Sequence, residues 1–363
     1  MLVELGIIAV KSFIVLFMVL NLAGVMGWVE RKGSALIQDR IGANRASVLG
    51  FAGLGLVNTL LADPIKFLTK EDFVPPHGDK FLHTLAPCLA FFPALVTFAV
   101  IPFGDVLVVG SREINLQVAN LNIGILYVFA MASLGVYGIV IGAWASNNKF
   151  SLLGGIRGSA QMISYEVAMG LSVMGILMVY GTLEPQEIAR AQGRLLWGWL
   201  PAWGIVLQPV AFLLFLTAAV AESKRVPFDL PEGESELVAG FHTEYSGGKF
   251  LMFFAGEFAE MVTAAGLITT LFFGGWQVPF LFRDGFHFPW GSDFMIPQLV
   301  VVALQIIAFL TKIIFFCWLF ILIRWTLPRF RYDQVMRLGW KMLLPAALAN
   351  LIVTAIAIAV FAA

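Results

Sequence analysis

The stretch Glu222-Ser223-Lys224-Arg225-Val226-Pro227-Phe228-Asp229-Leu230-Pro231-Glu232-Gly233-Glu234-Ser235-Glu236-Leu237-Val238-Ala239-Gly240-Phe241-His242-Thr243-Glu244-Tyr245 holds six acidic and two basic residues. Only 13% of the 363 residues in the chain are charged. Apolar runs border this stretch on both sides, at 200–221 and 247–273. At 1.5 Å per residue, a helix of about 20 apolar residues crosses the ~30 Å hydrocarbon core of a bilayer. A carboxylate-dense segment between two such runs reads as an extramembrane loop of a polytopic membrane protein. The composition agrees, with 60% hydrophobic residues, 33 Phe and a mean hydropathy of +0.88. Soluble proteins average roughly 45–50% apolar and about 25% charged residues. Backbone polar groups in lipid must be satisfied within the spanning segment, so runs of this length imply an all-α fold and not a barrel.

Working outward, eight spans are expected, at about 6–29, 81–103, 122–145, 159–180, 200–221, 247–273, 296–323 and 340–362, in a single membrane domain covering 1–363. Trp28, Trp144, Trp203, Trp276, Trp325 and Trp340 fall near span ends, as an interfacial aromatic belt would place them. Pro87, Pro93, Pro209 and Pro345 lie within or near span starts, where neighbouring helices can satisfy the freed backbone groups. Of the 23 Lys and Arg residues, most lie in the loops 30–80, 146–158, 222–246 and 324–341. The opposite loops hold only Arg112, Arg190, Arg194 and Arg283. The positive-inside rule then puts the acidic loop on the inner side and both termini outside. The first apolar run lacks a basic start and a small-residue cleavage site, so it reads as a retained helix.

Within the first inner loop, residues 47–68 are apolar but interrupted by Gly50, Gly53, Gly55, Asn58, Asp63 and Lys66. They read as an amphipathic helix on the membrane surface. Asp63 is expected as an N-cap, with Pro64 at the first helical position. No internal repeat is visible, which counts against inverted-repeat transporters.

Glu4, Glu166, Glu257 and Glu260 sit inside expected spans. A charge at bilayer depth costs at least ~2.5 kcal/mol, so such groups face a bundle interior or a wet cavity. Glu257 and Glu260 are spaced i, i+3 and share a helix face. Two readings stay open, packing as protonated acids or a proton relay that Glu222 joins from the loop side. Lys312 lies mid-helix and is expected to meet a partner in a polar track. Arg31 and Lys32 either snorkel or line a cavity mouth. Arg324, Arg329, Arg331, Arg337 and Lys341 read as a topological anchor contacting lipid headgroups. His77, His83, His242 and His287 show no metal-ligand spacing. Cys88 and Cys317 are two thiols where an iron–sulfur cluster takes about four. The zero net charge suggests no nucleic-acid role, and no nucleotide-binding or serine-nucleophile motif occurs.

The acidic loop closely resembles the signature of the H subunit of proton-translocating NADH:quinone oxidoreductase, respiratory complex I. Three further stretches agree: Glu30-Arg31-Lys32, Arg157-Gly158-Ser159-Ala160-Gln161-Met162-Ile163-Ser164-Tyr165-Glu166, and Arg324-Trp325-Thr326-Leu327-Pro328-Arg329-Phe330-Arg331-Tyr332-Asp333-Gln334. The likeness covers essentially the whole chain. It implies the membrane side of a quinone chamber and the start of a proton path. By the resemblance, Glu166, Glu222 and Glu257 match the intramembrane path, with Glu260 beside them. Glu30, Arg31, Asp63, Arg225, Phe228, Asp229, Glu232, Glu234 and Glu236 match the chamber wall and adjoining loop.

The resemblance further implies quinone as substrate, with NADH, FMN and iron–sulfur clusters on partner subunits and no cofactor bound by this chain alone. It also implies partners among membrane and peripheral subunits and lipid, in a bacterial inner membrane or an organellar one. Where the family usually has Gly-Pro-Asn-Arg after the first span, this chain has Gly42-Ala43-Asn44-Arg45. The alternatives are an anchor subunit of an energy-converting hydrogenase, an ion-coupled transporter, and a structural anchor whose loop only docks soluble partners.

Overall fold

Helices carry the architecture, as the apolar runs require. The computed structural model describes residues 2–42, 47–48, 51–52, 55–110, 112–291 and 293–362. Helix α1 spans Leu2–Ile37, α2 Asp63–Thr69, α3 Lys80–Thr97, α4 Gly124–Ala145, α5 Lys149–Tyr180 and α6 Pro185–Ala191. After them come α7 Gly204–Leu207, α8 Pro209–Glu222, α9 Gly247–Phe272, α10 Gln298–Thr326, α11 Tyr332–Leu338 and α12 Leu344–Ala362. Strands among the described residues are short antiparallel pieces in the loops.

Seven helical segments among the described residues are long and apolar enough to cross a membrane. They are α1, α3, α4, α5, α9, α10 and the continuous run Tyr332–Val360. The segment expected at 200–221 differs, because it is built from two pieces. Proline lacks an N–H and pushes the preceding residue out of the helical region. Accordingly Gln208 sits at φ −137°, ψ 58°, separating α7 from the 14-residue α8. The Gln208 side chain uses that break: it donates to Thr354 Oγ1 at 2.8 Å and accepts from Asn350 Nδ2 at 3.0 Å, tying the break to α12. Pro345 is matched by a similar adjustment, a π-turn Gly339–Leu343 that joins α11 to α12.

Two helices run further into the loops than the apolar pattern indicated. α1 continues through Glu30, Arg31 and Lys32 to Ile37, and α5 begins at Lys149 instead of near 159. The start of α5 is set by Asn148, whose Oδ1 accepts from Phe150 N at 2.9 Å. Between α1 and α2, a short turn Gly55–Val57 and a π-turn Asn58–Ala62 lead into α2. Residues 43–46, 49–50 and 53–54 lie outside the described residues, and with them most of the Gly42-Ala43-Asn44-Arg45 departure. Asp63 is not an N-cap. Ala62 before it already has helical angles and Asp63 is the first residue of α2, so its carboxylate is left to pair with Arg31 at 2.7 Å.

The core lies where α5, α8, α9 and α10 meet, around Tyr165, Phe215, Phe258, Phe272, Phe309 and Phe316. α9 is the most enclosed of the spanning helices. α3 and α4 approach closely at Gly138, where a Cβ would stand 2.6 Å from the Ala90 nitrogen. Lys312 faces inward and meets polar partners, as expected, and these are backbone carbonyls. Its Nζ donates to the carbonyl oxygens of Phe273 (2.7 Å), Gly275 (3.0 Å) and Gln277 (2.7 Å), closing the C-terminal end of α9. At the same end, buried Asp105 accepts from Arg190 at 3.0 Å and Arg283 at 2.9 Å, joining three loops.

Candidate functional site

The acidic loop starts where α8 stops. Ser223 N still bonds Ala219 O at 3.1 Å, but Lys224 turns into the left-handed region at φ 56°, which a non-glycine residue tolerates only when its surroundings hold it there. The Val226–Pro227 peptide that follows is cis. Gln161 of α5 clamps both sides of this turn, donating to Ala221 O at 2.7 Å and Phe228 O at 2.8 Å. Phe228 packs between Tyr165 and Phe330, with ring centroids 5.4 and 5.5 Å away. Tyr165 in turn donates to Val335 O at 2.9 Å. Near the loop's far end Gly240, at φ 56°, lies against Pro231, where a Cβ would stand 1.7 Å from the carbonyl oxygen. Much of the loop is therefore buried and wedged between α5 and the 327–338 segment, and it is not a free surface turn.

Its charges are paired with residues from distant helices. Glu30 of α1 accepts from both Arg225 and Arg324. The Arg225 guanidinium also stacks on Phe258, 3.9 Å from the ring centroid. Asp229 pairs with Arg329, and Glu236 with Arg157 at 2.6 Å. Arg324 and Arg329, expected as part of a topological anchor, thus also pair with carboxylates of α1 and the acidic loop. Bidentate, always-charged Arg is suited to such partly buried pairs. The Glu234 side chain lies outside the described residues.

Two carboxylate groups lie behind this lattice of pairs. In one, Glu232 Oε1 is 3.1 Å from His242 Nδ1, and Glu232, His242 and Glu257 bring ligand-type atoms within 4.8 Å of one another. No spacing in the sequence announced this trio. Burial pushes the His242 imidazole down to about 4, so it is neutral near pH 7. Burial raises Glu232, and Asp229 adds to the rise. In the other group, Glu222 feels the charges of Glu260 and Glu166, and Glu166 accepts from Ser133. A cavity of about 50 Å³ lies beside them, lined by Glu222, Ser223, Glu260, Thr97 and Thr263 among apolar side chains. It is polar enough and roomy enough for water.

Lys224 stands between the two groups. Its Nζ lies 3.0 Å from Glu260 Oε2, with the side chain only 3% exposed. Burial acts to lower its pKa, but the attraction of Glu260, Glu257 and Glu232 outweighs that and raises it. Lys224, His242, Arg324 and Arg329 are the residues that sequence reasoning left outside the site. The only signal for Lys224 was its place two residues after Glu222.

A second, larger cavity of about 400 Å³ opens between α1, α2 and α9. Arg31 and Asp63 line it beside Leu60, Phe67, Phe91 and Phe254. The structure thus pairs Glu30 with Arg225 and Arg324, and Asp229 with Arg329, and brings Arg31 and Asp63 into the wall of a cavity whose lining also includes Phe258, the ring under Arg225. Glu236 stays at the exposed edge.

The His242 shift has a consequence in solution. The unfolded chain takes a proton near 6.5, and the folded one refuses it until about 4. Stability therefore falls as pH drops through that window, by up to about 3 kcal/mol. His242→Gln should flatten this loss, read as the denaturation midpoint of the detergent-solubilised protein at pH 7.5 against pH 5. An unchanged difference would assign the acid sensitivity to other groups.

Comparison with known proteins gives consistent relatives. A family model described as NADH dehydrogenase matches residues 10–355. The chain is 47% identical over 351 residues to an H subunit of the NADH-quinone oxidoreductase of Geobacter metallireducens, covering 97% of this chain and 96% of the relative. It is 43% identical to the H subunit of the NADH-quinone oxidoreductase of Bdellovibrio bacteriovorus, covering 98% and 97%. With an H subunit of the Cytophaga hutchinsonii NADH-quinone oxidoreductase the identity is 46%, covering 92% and 91%.

Proposed function

The chain belongs to the NADH dehydrogenase family, and on that premise we propose that it is the membrane subunit of a proton-translocating NADH:quinone oxidoreductase that walls the quinone chamber and couples quinone reduction to proton movement. The observation that carries this reading is the continuity of the inner arginine–carboxylate lattice with the buried glutamates behind it. The same loop supplies Asp229 and Arg225 to the lattice and ends α8 at Glu222.

The 400 Å³ cavity suits an apolar quinone tail. Its lining is aromatic and aliphatic along most of its length and charged only at Arg31 and Asp63. Electrons would come from iron–sulfur clusters on a peripheral partner, which with NADH and FMN lie outside this chain. Reduction of a quinone to quinol takes two electrons and two protons. The proton demand falls beside Glu30, Asp229 and Glu232, and recharging them changes the field felt by Glu257 and Glu222. A buried carboxylate responds to such a change because both its desolvation and its neighbours' charges decide whether it holds a proton. Glu166, Glu222, Glu257 and Glu260 form the intramembrane part of this path.

In the membrane, α7 and α8 together form an eighth span, the Gln208 break being satisfied by α12. The helical stretch 55–69 lies at the inner surface. The cation-rich loops face the cytoplasm and both termini face outward, in a bacterial inner membrane. Relatives named for NADH-quinone oxidoreductase over nearly their full length favour this reading over a hydrogenase anchor or a lone transporter.

Glu222→Gln and Glu257→Gln, introduced separately into the assembled complex, should each cut proton release per electron to less than half in vesicles, with the complex still formed. Full pumping in both would sink the proposal.

A further inference from the structure

Lys224 is the one buried ammonium among the described residues that faces carboxylates of both groups. Glu260, its present partner at 3.0 Å, lines the water-sized cavity with Glu222. Glu257, one turn earlier on α9, belongs to the trio with Glu232 and His242. Residues three apart on a helix stand about 5–6 Å apart at Cβ, within the swing of a four-carbon side chain whose charge is a compact point. Lys224 itself sits on the loop, at the strained left-handed turn after α8, so a shift of the loop carries its side chain along. The charged and titratable groups around it are Glu222 on α8, Glu257 and Glu260 on α9, Glu166 on α5, and Arg225, Asp229, Glu232 and His242 on the loop.

We infer that Lys224 is a movable cation that couples the two carboxylate groups, passing from Glu260 to Glu257 when the acidic loop shifts. This deepens the function proposed above and rests on it. A carboxylate stripped of its cation in a dry site takes up a proton, and one that gains a cation gives a proton up. When the ammonium leaves Glu260 for Glu257, Glu257 releases one proton and Glu260 binds one. Each half of the swap leaves the number of charges in the site unchanged, so no uncompensated charge is buried at any step. The return of Lys224 to Glu260 releases the proton bound there into the cavity shared with Glu222, while Glu257, stripped of the cation, takes up a proton from the side of Glu232. A glutamine or asparagine at this position would hydrogen-bond the same carboxylates but could not compensate their charge.

The test uses the assembled complex in native membranes and in vesicles. The readouts are quinone reduction and proton release per electron, with electron transfer to ferricyanide as the check that the complex has formed. Lys224→Gln should lower proton release per electron to less than half. The double variant Lys224→Gln/Glu260→Gln should remain equally poor, because no mobile charge is restored. A static ion pair predicts instead that the double variant pumps better than Lys224→Gln, short only of what Glu260 itself contributes to the path, since removing both partners of a buried pair is close to neutral. Pumping in the double variant above that of Lys224→Gln therefore overturns the inference. Should the single variant fail to assemble, the double variant, which leaves no charge unpaired, takes its place, and full pumping in it overturns the inference. Loss of pumping in Glu257→Gln with full pumping in Lys224→Gln would reject the role of Lys224 and leave the function proposed above standing. Full pumping in Glu222→Gln, Glu257→Gln and Lys224→Gln alike would reject both.

Discussion

Glu30→Ala is expected to abolish NADH-driven quinone reduction and to leave little assembled complex. Glu30 is the common acceptor of Arg225 and Arg324, and it comes from α1 whereas its partners come from the loop and α10. Removing it leaves two guanidinium groups side by side. Arg225 is the more damaging of them, because its side chain is only 8% exposed. Breaking a buried pair by removing one partner typically costs about 3–5 kcal/mol, since the other charge stays desolvated. That is a large share of the roughly 5–15 kcal/mol by which a native fold exceeds its unfolded chain. Arg324→Ala should be milder, because Arg324 is partly solvated and Glu30 keeps Arg225. The comparison is made by quantifying assembled complex and its reductase activity in membranes carrying each variant. Equal and near-normal amounts from Glu30→Ala would show that the lattice does not hold the loop.

Lys312→Leu is the second large effect expected, and it acts at the opposite end of the molecule. The three carbonyl oxygens capped by this ammonium belong to the end of α9 and the turn after it, where no backbone N–H continues the helix. Each buried acceptor left without a donor costs about 1–3 kcal/mol. A leucine fills most of the space and keeps the packing against Trp203, whose ring lies 4.8 Å from the ammonium. The loss should therefore report the caps, on the order of 3 kcal/mol or more. Because α9 carries Glu257 and Glu260, slackening its end should also lower pumping. The measurement is the denaturation midpoint of the purified complex beside its proton release per electron. A midpoint equal to wild type would mean that water satisfies the carbonyls.

Spanning helices, their approximate limits and the segregation of basic loops were legible because each depends on local composition. An apolar run of about 20 residues has one stable form in lipid, since every backbone group must bond within it. Glu166, Glu257 and Glu260 stood out for the same reason, being charges where local composition makes a charge costly, whereas Glu30 was placed at the site only by the family resemblance. Where a single residue overrode the pattern, the limits moved. Pro209 split a span that hydropathy read as continuous, and Asn148 started α5 ahead of its apolar run.

Pairings could not be read in this way. Arg324 looked like one more cation at a helix end, and only the approach of α1 and the loop shows that it shares Glu30 with Arg225 across 294 residues of chain. Lys312 was expected to meet a polar partner, but that its partners are three carbonyls at the end of α9 could not be read from the chain. Glu232, His242 and Glu257 converge because Gly240 lets the loop fold against Pro231. The acidic loop itself was recognisable by sequence alone as the feature that breaks the apolar pattern. Its being buried, with Lys224 between two sets of carboxylates, was decided by tertiary structure. Charge and hydropathy are properties of a residue and its neighbours in the chain, whereas an ion pair depends on where distant helices place their side chains.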